Sequence, residues 1–431
     1  MKNNNQAEEW IHSRVKFGPK PGLERMKKFM KKLGNPEDEL RFIHIAGTNG
    51  KGSTVAYLSQ LLQGLGLRVG TFTSPFIEVF NERISINGQF ISDDDLNNLT
   101  EKIKPVVSEL DKEDLGLVVE FEILTALSFL YFKEQNVDIV LMEVGLGGLY
   151  DSTNVIKPEI SAVTSIGMDH MDILGSSLEE IARQKAGVIK HNIPLVIGKM
   201  PSKSVEEIFE KRCRELQSSI FRFNKEYQGK FVKEFTPWGE VFDFANQDIM
   251  IKNLITPLKG QHQIINASLA LEIYYLFCQK NKYDFSEINI RTSMNKVFWP
   301  ARMELIKQKP KIILDGAHNM EAVNQLVENM NTEFPDVKKR ILFSALERKA
   351  IDGMLLKLKE IKNADIYITS FDFPKALDKN NHNFSDFIFI DDWKSLVEEF
   401  NTYQKMDEIL LVTGSLYFVS EARKFIKKVN V

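Results

Sequence analysis

Cysteine is nearly absent from this chain: Cys213 and Cys278 are the two in 431 residues, with neither the density of a disulfide scaffold nor the spacing of a metal-ligand pair. That scarcity fits a reducing compartment, and each thiol reads as buried or incidental. No stretch approaches the uninterrupted apolar length that a membrane span needs. The opening residues Met1-Lys2-Asn3-Asn4-Asn5-Gln6 are polar and lack the apolar core of a signal peptide, so a cytoplasmic protein without a membrane partner is expected. An excess of one charge is lacking too: 56 Lys plus Arg stand against 59 Asp plus Glu, a net charge of −3. Such a balance exerts no general pull on nucleic acid, so any phosphate it binds is expected on a small molecule. Low-complexity tracts, coiled-coil heptads and short-period repeats are missing as well. What remains, 43% hydrophobic and 27% charged residues, is ordinary globular composition in a chain long enough for two domains.

The most informative segment present is Gly47-Thr48-Asn49-Gly50-Lys51-Gly52-Ser53-Thr54, which lies between the apolar run Phe42–Ala46 and a helical pattern beginning near Ser53. Glycines allow positive φ and bring successive N–H groups onto an anion, the following helix adds its positive end, and Lys51 supplies a point charge. A hydroxyl at Ser53 or Thr54 can reach the magnesium ion that accompanies ATP. The spacing is a shortened form of the common phosphate-loop pattern, with an extra glycine at Gly52. A linker run of glycines is the duller alternative.

From Arg41 to about Gly198, β-branched runs at 42–46, 68–73, 137–144, 160–166 and 193–197 alternate with helical periodicity at 53–65, 121–134 and 177–190. Alternation of this kind predicts a parallel sheet covered by helices. Residues 203–258 are less regular and suggest antiparallel strands or an insertion. A second alternating series carries strand-like runs at 311–315, 340–345, 365–370, 387–391 and 408–413, with the boundary expected in 295–302, where Pro300 interrupts regular structure.

Ligands of open parallel sheets collect beyond the carboxyl ends of the strands. The residues at those ends are the phosphate loop, Ser74-Pro75, Glu143 with Gly145-Leu146-Gly147-Gly148, and Asp169-His170. Magnesium prefers oxygen ligands, so Glu143 and Ser74 are natural candidates and His170 a less typical one. Each also has a structural reading, as a turn former, a strand-end ion pair or a carbonyl-satisfying imidazole. In the second series, Asp315-Gly316-Ala317-His318-Asn319 and Gly414-Ser415 occupy the same kind of position, where ordinary turn chemistry is the alternative. Arg302 is suited to approach phosphate, or to form an exposed salt bridge.

As a set these motifs resemble folylpolyglutamate synthase and dihydrofolate synthase, members of the Mur ligase superfamily of ATP-dependent amide-forming enzymes. The resemblance runs over nearly the whole chain, through Pro21-Gly22-Leu23-Glu24-Arg25, His44–Ser53, Thr73-Ser74-Pro75, Phe80-Asn81-Glu82-Arg83-Ile84, Glu143–Gly148 and Asp151-Ser152-Thr153-Asn154. It continues through Gly167–His170, Gln184–Gly187, His262–Ala267 and Leu314–Asn319. It implies an α/β fold with an N-terminal P-loop ATPase-like domain at 1–297, its mainly parallel sheet flanked by helices, and a smaller Rossmann-like α/β domain at 298–431.

The resemblance further implies that ATP phosphorylates a carboxylate of a folate or of dihydropteroate. The amine of L-glutamate then attacks the acyl phosphate inside a closing cleft, the enzyme acting as a monomer. Gly47, Thr48, Asn49, Gly50, Lys51, Gly52, Ser53 and Thr54 would wrap the ATP phosphates, and Asn266, Arg302 and Asp315 match nucleotide contacts. Ser74, Glu143, His170 and Lys185 would hold two magnesium ions, with Lys185 carbamylated. Lys51, Lys185, Glu143, His170 and His318 are the implied catalytic groups, and Phe121, Asp151 and Ser415 lie on the substrate side. From the residues alone a helical lysine such as Lys185 reads as a solvated surface group, and Phe121 reads equally as an aromatic on a core helix. Three departures stand out: Phe76 where His is frequent, Leu149-Tyr150 where Arg-Leu is usual, and Ala301 where Gly commonly precedes the Arg-x-Glu element.

Two other readings compete. A cell-wall Mur ligase would carry a further N-terminal domain, whereas residues 1–46 alone precede the phosphate loop. A nucleotide-driven switch would hydrolyse ATP without folate or glutamate.

Overall fold

The strand β1 (Phe42–Ala46) is buried at every residue, as a strand inside a covered parallel sheet must be. Around it, in a computed structural model that describes residues 6–15, 22–347, 351–382, 384–402 and 408–429, an eight-stranded sheet is built. Pro21 of the Pro21–Arg25 motif lies outside the described residues. The other strands of this sheet are β2 (Val69–Phe72), β3 (Ile84–Ile86), β4 (Gln89–Phe90), β5 (Ile139–Glu143), β6 (Ile160–Val163), β7 (Leu195–Ile197) and β8 (Ile220–Arg222). Their order is β4-β3-β2-β5-β1-β6-β7-β8. From β2 to β8 neighbours run parallel, while β3 and β4 add an antiparallel edge. Ile45 pairs with Glu143, and Ala46 with Val163, so β1, β5 and β6 release their loops at one level.

The expected α/β class and the five principal strands of this region are present, and the differences have local causes. The hairpin β3–β4 was not anticipated; Asn87 and Gly88 take φ of 50° and 79°, the conformation an Asn-Gly hairpin turn favours. The irregular stretch 203–258 opens with a helix, Lys203–Glu215, whose N-cap Ser202 accepts from Val205 N, and then supplies β8 to the large sheet. Its remainder forms the three-stranded sheet β11-β10-β9, from β9 (Tyr227–Glu234), β10 (Glu240–Asn246) and β11 (Met250–Thr256). The helix expected over 177–190 is α-helical at Leu178–Lys185 and tightens to a 3-10 turn at Ala186–Val188. Ser177 caps it, and Glu179 and Glu180 occupy its first turn.

By internal contacts the chain divides into two units. One comprises Met1–Val232, Phe242–Ile255 and Ile264–Val297; the other comprises Lys233–Val241, Thr256–Gln263 and Phe298–Val431. A single cut after residue 297 keeps 233–241 and 256–263 with the first unit, whereas contacts group them with the second. The second unit carries a six-stranded sheet of β12 (Glu304–Gln308), β13 (Lys311–Leu314), β14 (Lys338–Phe343), β15 (Ala364–Ile368), β16 (Ile388–Phe389) and β17 (Glu408–Thr413). Its order is β12-β13-β17-β14-β15-β16, parallel except at the unanticipated edge strand β12.

Each unit has its own apolar interior. In the first, Phe42, Phe72, Val140 and Met142 pack with Ile123, Leu127 and Phe129, while Val163, Leu195 and Ile197 pack with Ile181, Ala182 and Phe209. In the second, Ile313, Ile341, Phe343 and Leu411 pack with Leu326, Met330 and Leu355. No helix among the described residues is long and apolar enough to cross a membrane.

Candidate active site

The phosphate loop is held by the segment that leaves β6. Thr48 N donates to Ser165 O at 2.9 Å, Asn49 N to Ser165 Oγ at 3.0 Å, and Gly167 N to Thr48 Oγ1 at 3.0 Å. Thr164 Oγ1 donates to Asn49 O at 2.6 Å. Two glycines are sterically required. At Gly47, φ is +148° and an added Cβ would lie 1.8 Å from Thr164 Oγ1; at Gly50, φ is +88° and it would lie 2.4 Å from Asn266 Oδ1. Asn266, expected at the nucleotide, is therefore packed on the loop itself. The helix Lys51–Gln63 starts directly after Gly50 and aims its positive end at the turn.

Two ammonium groups meet at one carbonyl of this loop. Lys51 Nζ donates to Gly47 O at 3.1 Å and Thr48 O at 3.2 Å, and Lys185 Nζ donates to Gly47 O at 2.9 Å. Lys185 is 4% exposed, so the reading of it as a solvated surface lysine is overturned: helix Leu178–Lys185 turns its last residue inward. Glu143, 3% exposed, ends β5 with Oε1 3.9 Å from Lys51 Nζ. Ser53 Oγ and Thr54 Oγ1 are buried without a hydrogen-bond partner among the described residues. Buried hydroxyls without partners beside two lysines and a glutamate fit a magnesium-bound polyphosphate, which supplies the missing acceptors and takes the positive charge.

The loop after Glu143 is clamped on both sides. Leu149 N donates to Gln184 O at 2.8 Å, and an added Cβ on Gly148 would sit 3.1 Å from Lys185 Cα. Gly187 must be glycine because its Cβ would lie 2.3 Å from Leu149 Cα. Asn154 Nδ2 donates to both Leu149 O and Gly187 O at 3.1 Å. Tyr150, the second residue of the Leu149-Tyr150 departure, is exposed.

Asp151 differs from its expected place on the substrate side. Its Oδ2 accepts Leu146 N at 2.8 Å and its Oδ1 accepts Thr153 N at 3.0 Å, so this buried carboxylate ties the glycine loop to the 3-10 turn Ser152–Val155. Burial pushes its pKa up, opposed by those hydrogen bonds. Phe121 opens the helix Glu120–Glu134, with its ring against Gly145 and 5.6 Å from that of Phe72; it is partly buried on the core of its unit. Ser74 is partly buried after β2. Phe76 lies beneath the Arg83 guanidinium, 5.1 Å from its ring centroid. His170, at φ 50°, precedes the short helix Met171–Leu174, with a 45% exposed side chain and Nε2 3.8 Å from Asp169 Oδ1. No three His, Cys, Asp or Glu side chains among the described residues group to hold a metal ion; the expected set counts two of these types, beside Ser74 and Lys185.

In the second unit, Asp315 follows β13 with Oδ2 accepting Met303 N at 2.8 Å and Oδ1 accepting Ala317 N at 2.9 Å. Burial pushes its pKa up, and Arg302 and those amides pull the other way. Arg302 Nη1 lies 2.8 Å from where a Cβ on Gly316 would be. Ala301 sits at φ 55°, the left-handed region that glycine enters without strain, which accounts for the glycine that commonly stands there. His318 Nδ1 is 2.8 Å from Gly316 O; a carbonyl can only accept, so Nδ1 carries a proton. Ser415, 4% exposed, accepts Tyr417 N at 3.3 Å and starts the helix Leu416–Val429.

Thr164 and Ser165 escaped the sequence reading because the strand expected over 160–166 covered them; β6 ends at Val163, and both hydroxyls turn onto the phosphate loop. His44 and Thr153 also went unremarked as side chains, although a histidine inside an apolar strand is itself a signal.

Comparison with known proteins agrees with this arrangement. Residues 45–274 match the Mur ligase middle domain, and residues 301–416 match the Mur ligase glutamate ligase domain. Over 426 residues the chain is 43% identical to the dihydrofolate synthase/folylpolyglutamate synthase of Bacillus subtilis (strain 168), covering 98% of each chain. It is 32% identical to the folylpolyglutamate synthase of Lacticaseibacillus casei, again over 98% of each. Among solved structures, the Mycobacterium tuberculosis folylpolyglutamate synthase complexed with ADP and AMPPCP superposes with a TM-score of 0.88 at 28% identity, over 98% of this chain and 97% of that one. A folylpolyglutamate synthase complex with AMPPCP and folate gives 0.85 at 32% identity, over 97% and 98%. A phosphate loop braced by the strand-end segments of a parallel sheet, in a chain matched across both of its units, thus belongs to the Mur ligase family, among the folylpolyglutamate and dihydrofolate synthases.

Proposed function

We propose that this chain is an ATP-dependent ligase that joins L-glutamate to folates, and that 7,8-dihydropteroate is its second acceptor. The observation that carries the reading is the convergence of Lys51 and Lys185 on Gly47 O beside buried Glu143, with the Ser53 and Thr54 hydroxyls left without partners. A carboxylate is a poor electrophile until one oxygen becomes a leaving group, so the reaction runs through an acyl phosphate. The backbone N–H groups of Gly50 to Ser53 and the helix behind them receive the ATP phosphates. Lys51 exchanges its two loop carbonyls for phosphate oxygens, and the hydroxyls of Ser53 and Thr54 turn to the same ligand.

Ser74, Glu143 and His170 would hold magnesium, and Lys185 would join them once its neutral amine had added CO2 and lost a proton, the resulting carbamate's negative charge replacing the ammonium now on Gly47 O. Magnesium, when bound, neutralises charge on the transferring phosphoryl group. Phe121 offers a ring edge to the pterin, and Asp151 acts by holding the glycine loop. In the second unit, Asn319 caps the helix Met320–Glu333 behind His318, whose ring is fixed by Nδ1 on Gly316 O and is read as a contact of ATP or the incoming glutamate. Arg302, Asp315 and Ser415 are read as nucleotide and glutamate contacts. The protein is read as a cytoplasmic monomer.

The test is ATP-dependent incorporation of labelled glutamate, with a reduced folate monoglutamate and with dihydropteroate as acceptors. Label on both is the expected result. Label on the folate alone restricts the enzyme to tail extension, and ATP turnover that needs neither acceptor nor glutamate supports a switch instead.

A further inference from the structure

His44 stands in the middle of β1, fully buried between Ile43 and Ile45, where an imidazole is costly unless it is hydrogen-bonded. Its Nε2 lies 2.9 Å from Thr153 Oγ1, and that oxygen lies 2.5 Å from Asp151 Oδ1. The acceptors fix the proton positions. Both oxygens of Asp151 accept backbone amides, from Leu146 and Thr153, and the Thr153 hydroxyl donates to Oδ1. The hydroxyl oxygen in turn accepts from Nε2–H of His44. That leaves Nδ1 as the bare nitrogen, and Nδ1 is the ring atom without a hydrogen-bond partner among the described residues. Burial holds the imidazole's pKa down to about 3, which keeps the ring neutral.

This relay ends on the loop that links two groups of the site. Leu146 N is bound by Asp151, Gly145 lies under the Phe121 ring, Gly148 abuts the backbone of Lys185, and Leu149 N is held by Gln184 O. His44 itself pairs with Met142, the neighbour of Glu143, and precedes Gly47 by three positions on the strand that feeds the phosphate loop. His44 is therefore a residue of the strand that feeds the phosphate loop and the cross-strand neighbour of the strand that ends in the glutamate.

We propose that His44 is a positioning residue: its Nε2–H, relayed by the Thr153 hydroxyl, fixes the Asp151 carboxylate and with it the Gly145–Leu149 loop that follows Glu143 and packs on the backbone of Lys185. The inference rests on the ligase reading above and deepens it.

The test uses the full chain. Thr153→Val removes the hydroxyl at nearly constant volume; kcat for glutamate incorporation falls at least about tenfold, while the KM for ATP stays within about twofold and the folded protein melts normally. Thr153→Ser, which keeps the hydroxyl, and His44→Gln, which keeps an N–H donor, recover to within about threefold of wild type. His44→Met falls as Thr153→Val does, and the double variant is no worse than either alone, as expected for residues acting in series. A slowly exchanging imidazole Nε2–H resonance is present in the wild type and lost in Thr153→Val. Wild-type kcat in Thr153→Val, additive losses, or a serine variant as poor as the valine one each overturn the proposal. If Thr153→Val does not fold, the contrast between His44→Gln and His44→Met decides the same point. If the wild-type protein adds no glutamate, the ligase reading fails, while the Nε2–H resonance still reports on the relay.

Discussion

Both units carry a buried aspartate in the loops beyond their strand ends, and in both the two carboxylate oxygens are taken by backbone amides: Leu146 and Thr153 at Asp151, Met303 and Ala317 at Asp315. The surroundings differ. In the first unit two lysines, a glutamate and hydroxyls without partners among the described residues crowd one glycine turn; in the second, Arg302 lies against Gly316, an imidazole is turned onto Gly316 O, and a buried serine starts the helix Leu416–Val429. The shared aspartates show a scaffold device that strand-end position alone cannot separate from ligand binding. The difference shows where polyphosphate charge can be met, since two ammonium groups on one carbonyl repel each other until an anion arrives.

The sharpest way to break that contrast is to remove the charges. Glu143→Ala and Lys185→Ala are each expected to lower glutamate incorporation about a thousandfold or more with the fold retained, as seen by circular dichroism; near-normal turnover in both would undo the metal-site assignment.

Glycine substitutions compare the two turns directly. Gly47→Ala meets a hydroxyl 1.8 Å from its new Cβ at φ +148°, and calorimetry with a non-hydrolysable ATP analogue should show affinity lowered about a hundredfold. Gly316→Ala meets the flexible ends of Leu416 and Arg302, at 2.2 and 2.8 Å, which can shift, so a loss below about tenfold is expected. Equal losses would erase the distinction between a rigid cradle and an adaptable one.

Asp151→Asn and Asp315→Asn turn one acceptor oxygen into a donor facing a backbone N–H. Each should cost about 1–3 kcal/mol in denaturant unfolding of its own unit. A variant that loses activity but no stability would make ligand contact, and not loop holding, the main role of that aspartate.

The smallest effects concern buried glutamates. Burial pushes Glu272 up to about 7, with Asn246 Nδ2 donating to Oε2 at 2.9 Å. An acid with its folded pKa raised favours the folded state below its unfolded value of 4.5, and that stability is lost as pH rises toward 7. Glu272→Gln should therefore raise the melting temperature by a few degrees (roughly 2–4 °C) at pH 8 and leave it unchanged at pH 4. In the second unit Glu333 is also raised by burial, but Lys259, 3% exposed, lies 2.6 Å away. Glu333→Gln strips that lysine of its nearest anion and should lower the melting temperature instead. A common sign for the two variants would show that pairing does not distinguish the units.

Much of this molecule was legible from local pattern. β1 spans 42–46 as read, the strand ends ordered the candidate residues, and the glycine turn after β1 leads into a helix as read, because periodicity and glycine placement act over a few neighbouring residues. The hairpin at Asn87-Gly88 was equally readable and was passed over, being short and at the sheet edge. The helix Lys203–Glu215 hid in a stretch whose aromatics lie further on, although Ser202 stood as its cap.

What sequence determined, then, was the alternation of strands and helices, the glycine turn and the list of residues at strand ends. Only the tertiary structure decided that Lys185 is buried against Gly47 O, that Asp151 and Asp315 hold loops, and that His44 reaches Asp151 through Thr153. The lysine and histidine contacts join residues far apart in the chain, 138 positions for Lys185 and Gly47 and 109 for His44 and Thr153, and no local pattern encodes which buried acceptor a lysine will find; the aspartate contacts span 12 positions or fewer, but the folded loops decide that both oxygens are taken by backbone amides.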